Sequence, residues 1–340
     1  MAGDMISRME LSGLIPEEVT RELMQGVVAG SAVLQMGRRL PNMTSRTQAM
    51  NVLDMLPMAY WVDGDTGVKQ TSQMAWEKKK LYAEELAVIV PLPEVVLEDS
   101  AYDVWSEVKP RLAEAFARKI DEAVLFGVDK PDSWRDDILT TAAAANAVVT
   151  AGEDLYEDIM GENGVIAKVE ESGFLPTGAL GAVKMRAMLR SLRDLAGQPV
   201  FKTDMQGATQ YALDGVPMLF PLVGGFDASK ALMILGDFGQ LVYSIRQDVT
   251  YKLLDQATII DPTTHEVIYS LAQQDMVALR AVMRLGWEIP NPVNAYAADS
   301  ETRCPFAVYA PAGASGDDGD DGDDEGDGQN DGGGEAVTNP

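Results

Sequence analysis

Cysteine and histidine are almost absent from this sequence: 340 residues contain one of each, Cys304 and His265. A single cysteine excludes an internal disulfide framework and is typical of proteins from a reducing compartment. The same scarcity excludes a zinc site built from clustered cysteines and histidines. The uncharged apolar run at residues 86–93 is far shorter than the roughly 20 residues that span a membrane. The N-terminus lacks a basic region followed by an apolar run, so we expect no signal peptide.

Motifs of nucleophilic and phosphate chemistry are also missing. A nucleophile with a histidine base would need His265, which lies in DPTTHEVIY before an extended stretch and is better interpreted as structural. Cys304 has no implied histidine partner, so a structural thiol is the better interpretation. No GxGxxG, GxxxxGKS or GxxxxGKT loop occurs. Adjacent acids point apart on a strand or helix and make poor carboxylate dyads; the pairs are Glu84-Glu85, Glu98-Asp99 and Asp136-Asp137.

Positive charge is scarce as well. The formal net charge is −26, with 53 acidic residues against 27 basic ones. Such a chain repels nucleic acid over most of its surface, which argues against a nucleic-acid reader but not against a container for nucleic acid. The one run of lysines, residues 78–80, is surrounded by acids and predicts a salt-bridging face rather than a nucleic-acid patch.

The acidity is concentrated in a Gly/Asp-rich tail, residues 313–340, which holds ten acidic residues and no basic ones. It has almost no apolar residues, so we expect it to be disordered. The tail repeats every three residues and lacks the ligand spacing of a calcium loop. A solvated polyanion is therefore favoured over weak binding of divalent cations.

Two extended arms surround a polar loop in the first third of the chain. Residues 51–62 and 75–93 have strand-like sequences, and residues 63–74 between them are polar and contain two glycines. An isolated two-stranded ribbon is only marginally stable in water, so this one must lie on its own body or on a neighbouring copy. Trp61 and Trp76 flank the loop, and exposed aromatic residues there more often anchor a protein–protein contact than bind a ligand.

One long helix and two long strands are the clearest elements. Apolar side chains recur at steps of three and four in residues 101–126, which predicts a helix that ends at Gly127 and is kinked or begun at Pro110. Residues 277–289 alternate strictly between two faces, and residues 241–255 also have a strand pattern. Long elements of both kinds indicate an elongated lobe.

Residues 135–240 alternate between helical and extended patterns and predict a mixed α/β lobe. The predicted helices are 153–172 and 181–195, and the predicted short strands are 174–177, 211–213, 217–222 and 231–235. Near the N-terminus, Pro16 begins a predicted short helix that runs to Gln25. Three glycines are then expected to break any longer helical pattern: Gly26, Gly30 and Gly37.

Three segments carry a resemblance to a known family through their order and spacing. They are AWEKKKLYAEELAVIVPLPEVVLEDS at 75–100, RLAEAFARKIDEAVLFG at 111–127 and VALRAVMRLGWEIPNP at 277–292. In this order, a return arm leads through a proline-rich, acidic segment into a long helix, and a late strand carries two arginines and a glycine. The same order occurs in the major capsid proteins of tailed bacteriophages with the Hong Kong 97-type fold, which this sequence therefore resembles. The resemblance covers about residues 10–300 and leaves out the tail.

The resemblance implies an α+β fold with five parts. These are an N-terminal arm, 1–45; an extended E-loop hairpin with its two arms, 46–93; a peripheral domain with a long spine helix and long strands, 94–134 and 241–292; an α/β axial domain with a C-terminal segment, 135–240 and 293–312; and the tail, 313–340. The implied function is non-enzymatic and needs no cofactor or metal: self-assembly into pentamers and hexamers of an icosahedral shell around double-stranded DNA. The E-loop would lie across an adjacent subunit, and the residues expected to contact neighbours are Trp61, Lys69, Trp76, Lys78, Lys80 and Tyr82.

The resemblance also implies partners and a location. Some relatives begin with a long scaffolding segment, whereas only residues 1–45 precede the loop arm here, which favours a separate scaffolding protein besides a portal and a decoration protein. The subunit would be assembled in the host cytoplasm, reside in the virion capsid and bind no membrane. Some relatives crosslink an E-loop lysine to a neighbour's asparagine, and the corresponding candidates are Lys69, Asn291 and Asn294. We hypothesise that the tail projects outward, because packed DNA would repel it; protection from protease in intact particles would contradict this.

Three alternatives remain open. An encapsulin-type compartment would share the fold but enclose protein cargo instead of a genome. A soluble α/β enzyme with an unrecognised acid/base site comes from a different class and would show titratable groups gathered in a pocket. A calcium-bound surface protein depends on the acidic tail alone and predicts that chelators destabilise the fold.

Overall fold

The computed structural model describes residues 26–61, 71–95, 104–192, 212–261 and 264–313. The helices are α1 Ala32–Met36, α2 Val104–Phe126, α3 Ile138–Ala144, α4 Leu155–Met160, α5 Val165–Glu171 and α6 Val183–Ser191. The strands are β1 Arg38–Arg39, β2 Thr47–Met55, β3 Ala75–Tyr82, β4 Glu84–Pro93, β5 Val148–Thr150, β6 Gly178–Gly181, β7 Ala212–Leu213, β8 Val216–Leu219, β9 Met233–Gly236, β10 Val242–Leu254, β11 Thr258–Ile260, β12 Val267–Ser270, β13 Met276–Glu288 and β14 Phe306–Ala310. The predicted helix at 16–25, Lys69 and the tail beyond Gly313 lie outside the described residues.

The first sheet is built on the two long strands and has the order β1-β10-β13-β4. β10 and β13 are thirteen residues each and run antiparallel, β4 pairs antiparallel with the other side of β13, and β1 pairs in parallel with β10. Leu279, Ala281 and Met283 lie on one face of β13 and are buried in the main core. Both predicted long strands are therefore confirmed. Pro91 and Pro93 lie in β4 at the end of the sheet order, where a missing backbone N–H is tolerated.

The predicted long helix is confirmed as α2. Phe116, Ile120 and Val124 recur at steps of four and are buried in the same core as the apolar face of the first sheet. The helix continues through Pro110 and ends before Gly127. Gly127 has φ +68°, a left-handed conformation that glycine adopts without strain, which explains why the helix ends at this point.

The second sheet has the order β5-β14-β9-β6-β8-β7. Along the chain, its short strands alternate with helices, as predicted for this lobe. The C-terminal strand β14 pairs in parallel with β5 and antiparallel with β9, so the chain returns to this sheet after leaving β13. All five residues of β14, FAVYA, are buried, and α3 and α5 pack against it. The sequence pattern of β14 did not predict a strand.

Some predictions for this part of the chain are wrong in place or extent. The helix predicted over 153–172 is two helices, α4 and α5, interrupted between Gly161 and Gly164. The strand predicted at 174–177 is absent; the strand is β6, whose sequence GALG is buried on both faces between β8 and β9. Glycine and alanine carry little strand propensity, so only the packing between neighbouring strands reveals β6. The helix predicted over 181–195 is observed as α6.

The prediction that Gly26 breaks the helical pattern is wrong, because residues 26–30 are helical. The predicted break at Gly30 is confirmed, since the helical segment ends there and α1 begins after Ser31. The predicted break at Gly37 is confirmed as well, since Gly37 caps the end of α1. A Cβ atom at Gly26 would lie 3.1 Å from the Cβ of Ala113, and one at Gly30 would lie 3.1 Å from the Cβ of Ala117. These glycines allow the N-terminal segment to pack closely on α2, a role that the sequence pattern does not distinguish from a turn.

A buried carboxylate ties α1 to α2. Asp121 of α2 is 1% exposed and accepts hydrogen bonds from Ser31 Oγ at 2.6 Å, Ala32 N at 2.9 Å and Val33 N at 3.1 Å. The two backbone N–H groups belong to the start of α1, where a helix leaves its donors without internal partners. Burial raises the pKa of Asp121 to about 6, although the three hydrogen bonds oppose the shift. The segment that precedes β1 is therefore fixed on α2 by bonds to a charged group.

Candidate functional site

The polar loop and its arms form a two-stranded ribbon, which we define as β2, β3 and the connecting residues 56–74. β2 and β3 pair antiparallel from Thr47 and Tyr82 at the base to Met55 and Ala75 beside the connection. Two predicted bounds change. The strand of the first arm is Thr47–Met55 instead of 51–62. The second arm divides at Ala83, so that β3 belongs to the ribbon and β4 to the first sheet.

The register of the ribbon separates its side chains into two faces. Every second residue of a strand points to the same face, so Trp76, Lys78 and Lys80 of β3 lie on one face, and all three are exposed. We call this the outward face. Leu81 and Lys79 lie on the other face: Leu81 is fully buried and Lys79 is half-buried. The run of three lysines therefore presents two ammonium groups outward and one toward the body.

Large apolar side chains gather at the far end of the ribbon. Trp61 is fully exposed, at 104%, and Trp76 is 61% exposed. We define the apolar end as six exposed residues: Met55, Met58, Tyr60, Trp61, Met74 and Trp76. A hydrogen bond from Met58 N to Ser72 Oγ, 2.6 Å long, holds the two sides of the connection together at this level. The described residues of the same chain leave this apolar surface uncovered, and such patches mark interaction sites.

A small apolar cluster packs the base of the ribbon against the segment that follows β1. Its members are Leu40, Met43, Met50, Leu81 and Ala83. The chain passes so close to β13 that a Cβ atom at Gly286 would lie 2.5 Å from the carbonyl oxygen of Tyr82. Glycine at position 286 is therefore required for the ribbon to lie where it does. A further backbone bond, from Val293 N to Leu53 O at 3.0 Å, supports the ribbon from the body.

A loop that follows α2 adds polar contacts at the same base, and we call Ser133, Trp134 and Arg135 the clamp. Trp134 Nε1 donates to the carbonyl oxygen of Tyr82 at 3.0 Å. Ser133 Oγ donates to Glu84 Oε1 at 2.8 Å, and Arg46 on the other side of the ribbon base donates to the same oxygen at 2.8 Å. The hydrogen bonds from Arg46 and Ser133 lower the pKa of Glu84.

The clamp is itself anchored to the end of β13. Arg135 donates to Glu288 Oε1 at 2.8 Å and to the carbonyl oxygen of Ile289 at 3.0 Å. The rings of Trp134 and Trp287 pack edge to face with centroids 6.3 Å apart. Burial lowers the pKa of Lys79 on the body-facing side of the ribbon, and the charge of Arg135 lowers it further. The ribbon base therefore lies on a surface of alternating positive and negative groups.

The structure brings most of the sequence-predicted contact residues together on the ribbon. Trp76, Lys78 and Lys80 share the outward face, Tyr82 is half-buried at the base, and Trp61 belongs to the apolar end. Sequence reasoning missed Trp134 and Gly286. A tryptophan in the polar segment PDSWRDD was a usable signal for Trp134, because an aromatic residue in a polar loop needs a packing partner. Nothing in the sequence near Gly286 indicated that Tyr82 passes over it.

The two asparagines considered for crosslinking are engaged within the chain. Asn291 Nδ2 donates to the carbonyl oxygen of Arg303 at 2.7 Å, and Asn291 Oδ1 accepts from Arg303 Nε at 3.1 Å. Asn294 Nδ2 donates to Ser172 O at 2.7 Å, while its Oδ1 accepts from two backbone N–H groups. Either amide would have to leave these bonds before it could react with a lysine, which disfavours both as crosslink partners.

Other side chains that could act as nucleophiles, acids or metal ligands have structural roles instead. Cys304 is fully buried, and burial raises the pKa of its thiol to about 11. The neighbouring acids serve different partners: Asp136 pairs with Lys130, whereas Asp137 caps α3 through Thr140 N. In the described part of the chain, no three histidine, cysteine, aspartate or glutamate side chains come together in a group that could hold a metal ion. None of the described helices is long and apolar enough to cross a membrane.

Comparisons with known proteins agree with the architecture. The sequence model of the Phage capsid family matches residues 12–295. The major capsid protein of Staphylococcus phage 80alpha is 27% identical over 280 residues, which cover 82% of each chain. A solved chain of Microbacterium phage Oxtober96 is 36% identical, with a TM-score of 0.71, and the match covers 83% of this chain and 91% of that one.

A solved chain of Mycobacterium phage Adephagia is 32% identical, with a TM-score of 0.71, over 90% of this chain and 98% of that one. These matches confirm the resemblance to tailed-phage major capsid proteins and support a mixed α+β phage capsid fold. Because the family model spans nearly the whole described body, from before α1 to beyond β13, this chain belongs to the phage capsid family.

Proposed function

We propose that many copies of this chain assemble into the closed icosahedral shell of a tailed phage, in pentamers and hexamers around double-stranded DNA. The observation that carries the proposal is the apolar end of the ribbon, which the described residues of the same chain leave uncovered, in a chain of the phage capsid family. Contacts that are individually modest hold a shell together when every copy makes several of them at once. The proposed role is structural and requires no catalytic step.

The ribbon is proposed to be an E-loop that lies across an adjacent copy. An isolated two-stranded ribbon is marginal in water, so a neighbouring surface would supply the burial that the free chain lacks. Trp61 and Trp76 would be the anchors, since fully desolvated aromatic residues contribute most to protein interfaces. Lys78 and Lys80 on the outward face would meet a neighbour of strongly negative net charge, which favours encounter in the correct orientation.

The remaining parts of the chain are proposed to follow the family's division into domains. The proposed parts are an N-terminal arm, 1–45; the E-loop, 46–83; a peripheral domain, 84–134 and 241–292; and an axial domain with a C-terminal segment, 135–240 and 293–312. The boundary at Ala83 differs from the sequence-based one at 93, because β4 pairs with β13 along its whole length. The axial domains would meet at the centres of pentamers and hexamers.

Further partners and the site of assembly are also part of the proposal. A separate scaffolding protein and a portal would guide assembly in the host cytoplasm, and a decoration protein would bind the finished shell. The enclosed DNA would be held without sequence-specific contacts, because the net charge of −26 repels phosphate. The acidic residues beyond Gly313 would extend from the outer surface for the same reason.

The content of purified particles tests this function against an encapsulin-type compartment. Particles from phage-producing cells are expected to contain double-stranded DNA that resists added nuclease until the shell is disrupted by heat or denaturant. The matched control is the same DNA mixed with disassembled subunits, which should be digested at once. Particles that carry a bound enzyme and no protected DNA would contradict the proposal and support the compartment instead.

A further inference from the structure

We propose that the clamp, Ser133, Trp134 and Arg135, positions the ribbon relative to the body and thereby fixes the size of the shell. The effect on shell size rests on the proposed function. The effect on the direction of the ribbon does not, because that direction is a property of the single subunit. The clamp residues belong to the loop between α2 and α3 and not to the ribbon itself. They act as positioning residues through the ribbon and are not themselves expected to touch a neighbouring copy.

The contacts of the clamp explain why it controls direction. Trp134 holds the carbonyl oxygen of Tyr82, the last residue of β3, one residue before the chain divides at Ala83. Ser133 and Arg46 meet on Glu84, the first residue of β4, so that both edges of the ribbon base are held by one carboxylate. These bonds lie at the point about which the ribbon would turn. The pairing of β2 with β3 does not involve them.

The clamp also has a rigid support. Arg135 is bound to Glu288 and to Ile289 at the end of β13, and Trp134 packs on Trp287. The loop is further held on itself by a bond from Trp134 N to Pro131 O at 3.0 Å. Because the clamp is bound to the end of β13, it holds the ribbon at a fixed angle to the first sheet. If the clamp is loosened, the apolar cluster and the bond from Val293 N to Leu53 O still attach the ribbon to the body, and we expect the direction of the ribbon to vary over a wider range.

Shell size follows from the direction of the ribbon, because the apolar end lies far from the ribbon base. Where the apolar end contacts a neighbouring copy therefore sets the angle between the two subunits. In a symmetric assembly that angle decides whether and at what diameter the shell closes. Losing one hydrogen bond of ordinary strength changes the ratio of subunits with the ribbon held by the clamp to subunits with the ribbon released from it by about fivefold. We therefore expect a change in the distribution of shell diameters rather than a loss of assembly.

The test compares Trp134→Phe with a matched control, Tyr309→Phe. Trp134→Phe keeps an aromatic ring against Trp287 and removes the donor to Tyr82. Tyr309→Phe removes a hydrogen bond to Asp158, 2.9 Å long, in the second sheet and away from the ribbon. Both variants are expected to lower the melting temperature of the subunit by similar amounts. Trp134→Phe alone is expected to give shells of several diameters, as measured by electron microscopy.

A second readout does not require shells. Spin labels at Asn51→Cys on the outward face of the ribbon and Lys184→Cys on α6 report the distance between ribbon and body in the unassembled subunit; both positions are exposed, whereas the native Cys304 is buried. The distance distribution is expected to widen in Trp134→Phe and to stay unchanged in Tyr309→Phe. Equal distributions in the two variants, or shells of wild-type diameter from Trp134→Phe, would overturn the inference. If the labels respond but neither the wild type nor the two variants form shells, the positioning role holds and the proposed function fails.

Discussion

Deleting residues 63–74 is expected to give a subunit that folds but forms no closed shells. The main core lies in the two sheets and the helices packed on them, whereas the described residues of the ribbon contribute to the small cluster at its base. The deletion shortens the connection without touching either cluster. It removes Met74 from the apolar end. It also shortens the ribbon, so that the ribbon no longer extends over a neighbouring copy. Circular dichroism and light scattering measure the two properties separately, and normal particles would count heavily against the E-loop assignment.

A finer variant keeps the length of the ribbon and removes only its aromatic anchors. Trp61→Ser combined with Trp76→Ser should lower assembly strongly, because each buried aromatic anchor contributes on the order of 2 kcal/mol to an interface. Tyr296→Ser is the matched control, since Tyr296 is 86% exposed but lies in the segment between β13 and β14. Assembly that tolerates the loss of both tryptophans as well as it tolerates the loss of Tyr296 would show that the apolar end is not an anchor.

Asp121→Ala is expected to lower the free energy of unfolding of the unassembled subunit by about 2–4 kcal/mol. The substitution leaves three buried donors without an acceptor: Ser31 Oγ, Ala32 N and Val33 N. Urea unfolding measures the change. Glu122→Ala is the control, because Glu122 is the next residue of α2 and forms only longer, partly exposed ion pairs, so its loss should cost no more than about 1 kcal/mol. Equal effects of the two substitutions would show that the Asp121 bonds do not fix the N-terminal segment.

The pH dependence of stability tests the same carboxylate. The pKa of Asp121 is raised from 3.8 to about 6 in the folded protein, so the folded state binds the proton more tightly than the unfolded state. Its contribution to stability therefore rises as the pH falls from about 7 to about 4, by up to about 3 kcal/mol. Asp121→Asn does not titrate, and the difference in unfolding free energy between wild type and variant should change with pH in that window. A constant difference would contradict the raised pKa.

The long elements were predictable from the sequence because their patterns repeat often enough to be unambiguous. α2 carries its apolar residues at helical spacing over six turns' worth of chain, and β13 alternates over thirteen residues. The short elements of the second sheet were not predictable to the same degree. β6 is GALG and β14 is FAVYA, and neither pattern distinguishes a strand buried on both faces from other buried chain.

The ribbon itself was predictable, but its attachment was not. Glycines, tryptophans and alternating residues around 51–93 indicated two arms, whereas the division at Ala83 depends on β13, some 200 residues later in the chain. The clamp contacts the ribbon base from 52 residues away in sequence, and Gly286 of β13 contacts it from some 200 residues away. Contacts of this kind are set by tertiary packing, and single-sequence patterns report mainly on local conformation.

The mass of the purified native assembly tests the central claim most directly. Light scattering combined with negative-stain imaging should find closed shells of megadalton mass, built from subunits of 36.7 kDa. Such particles would establish that this chain builds a capsid and would make the ribbon variants interpretable. A monomer or dimer at high concentration, both with and without a candidate scaffolding protein, would contradict the account and return attention to a soluble α/β enzyme.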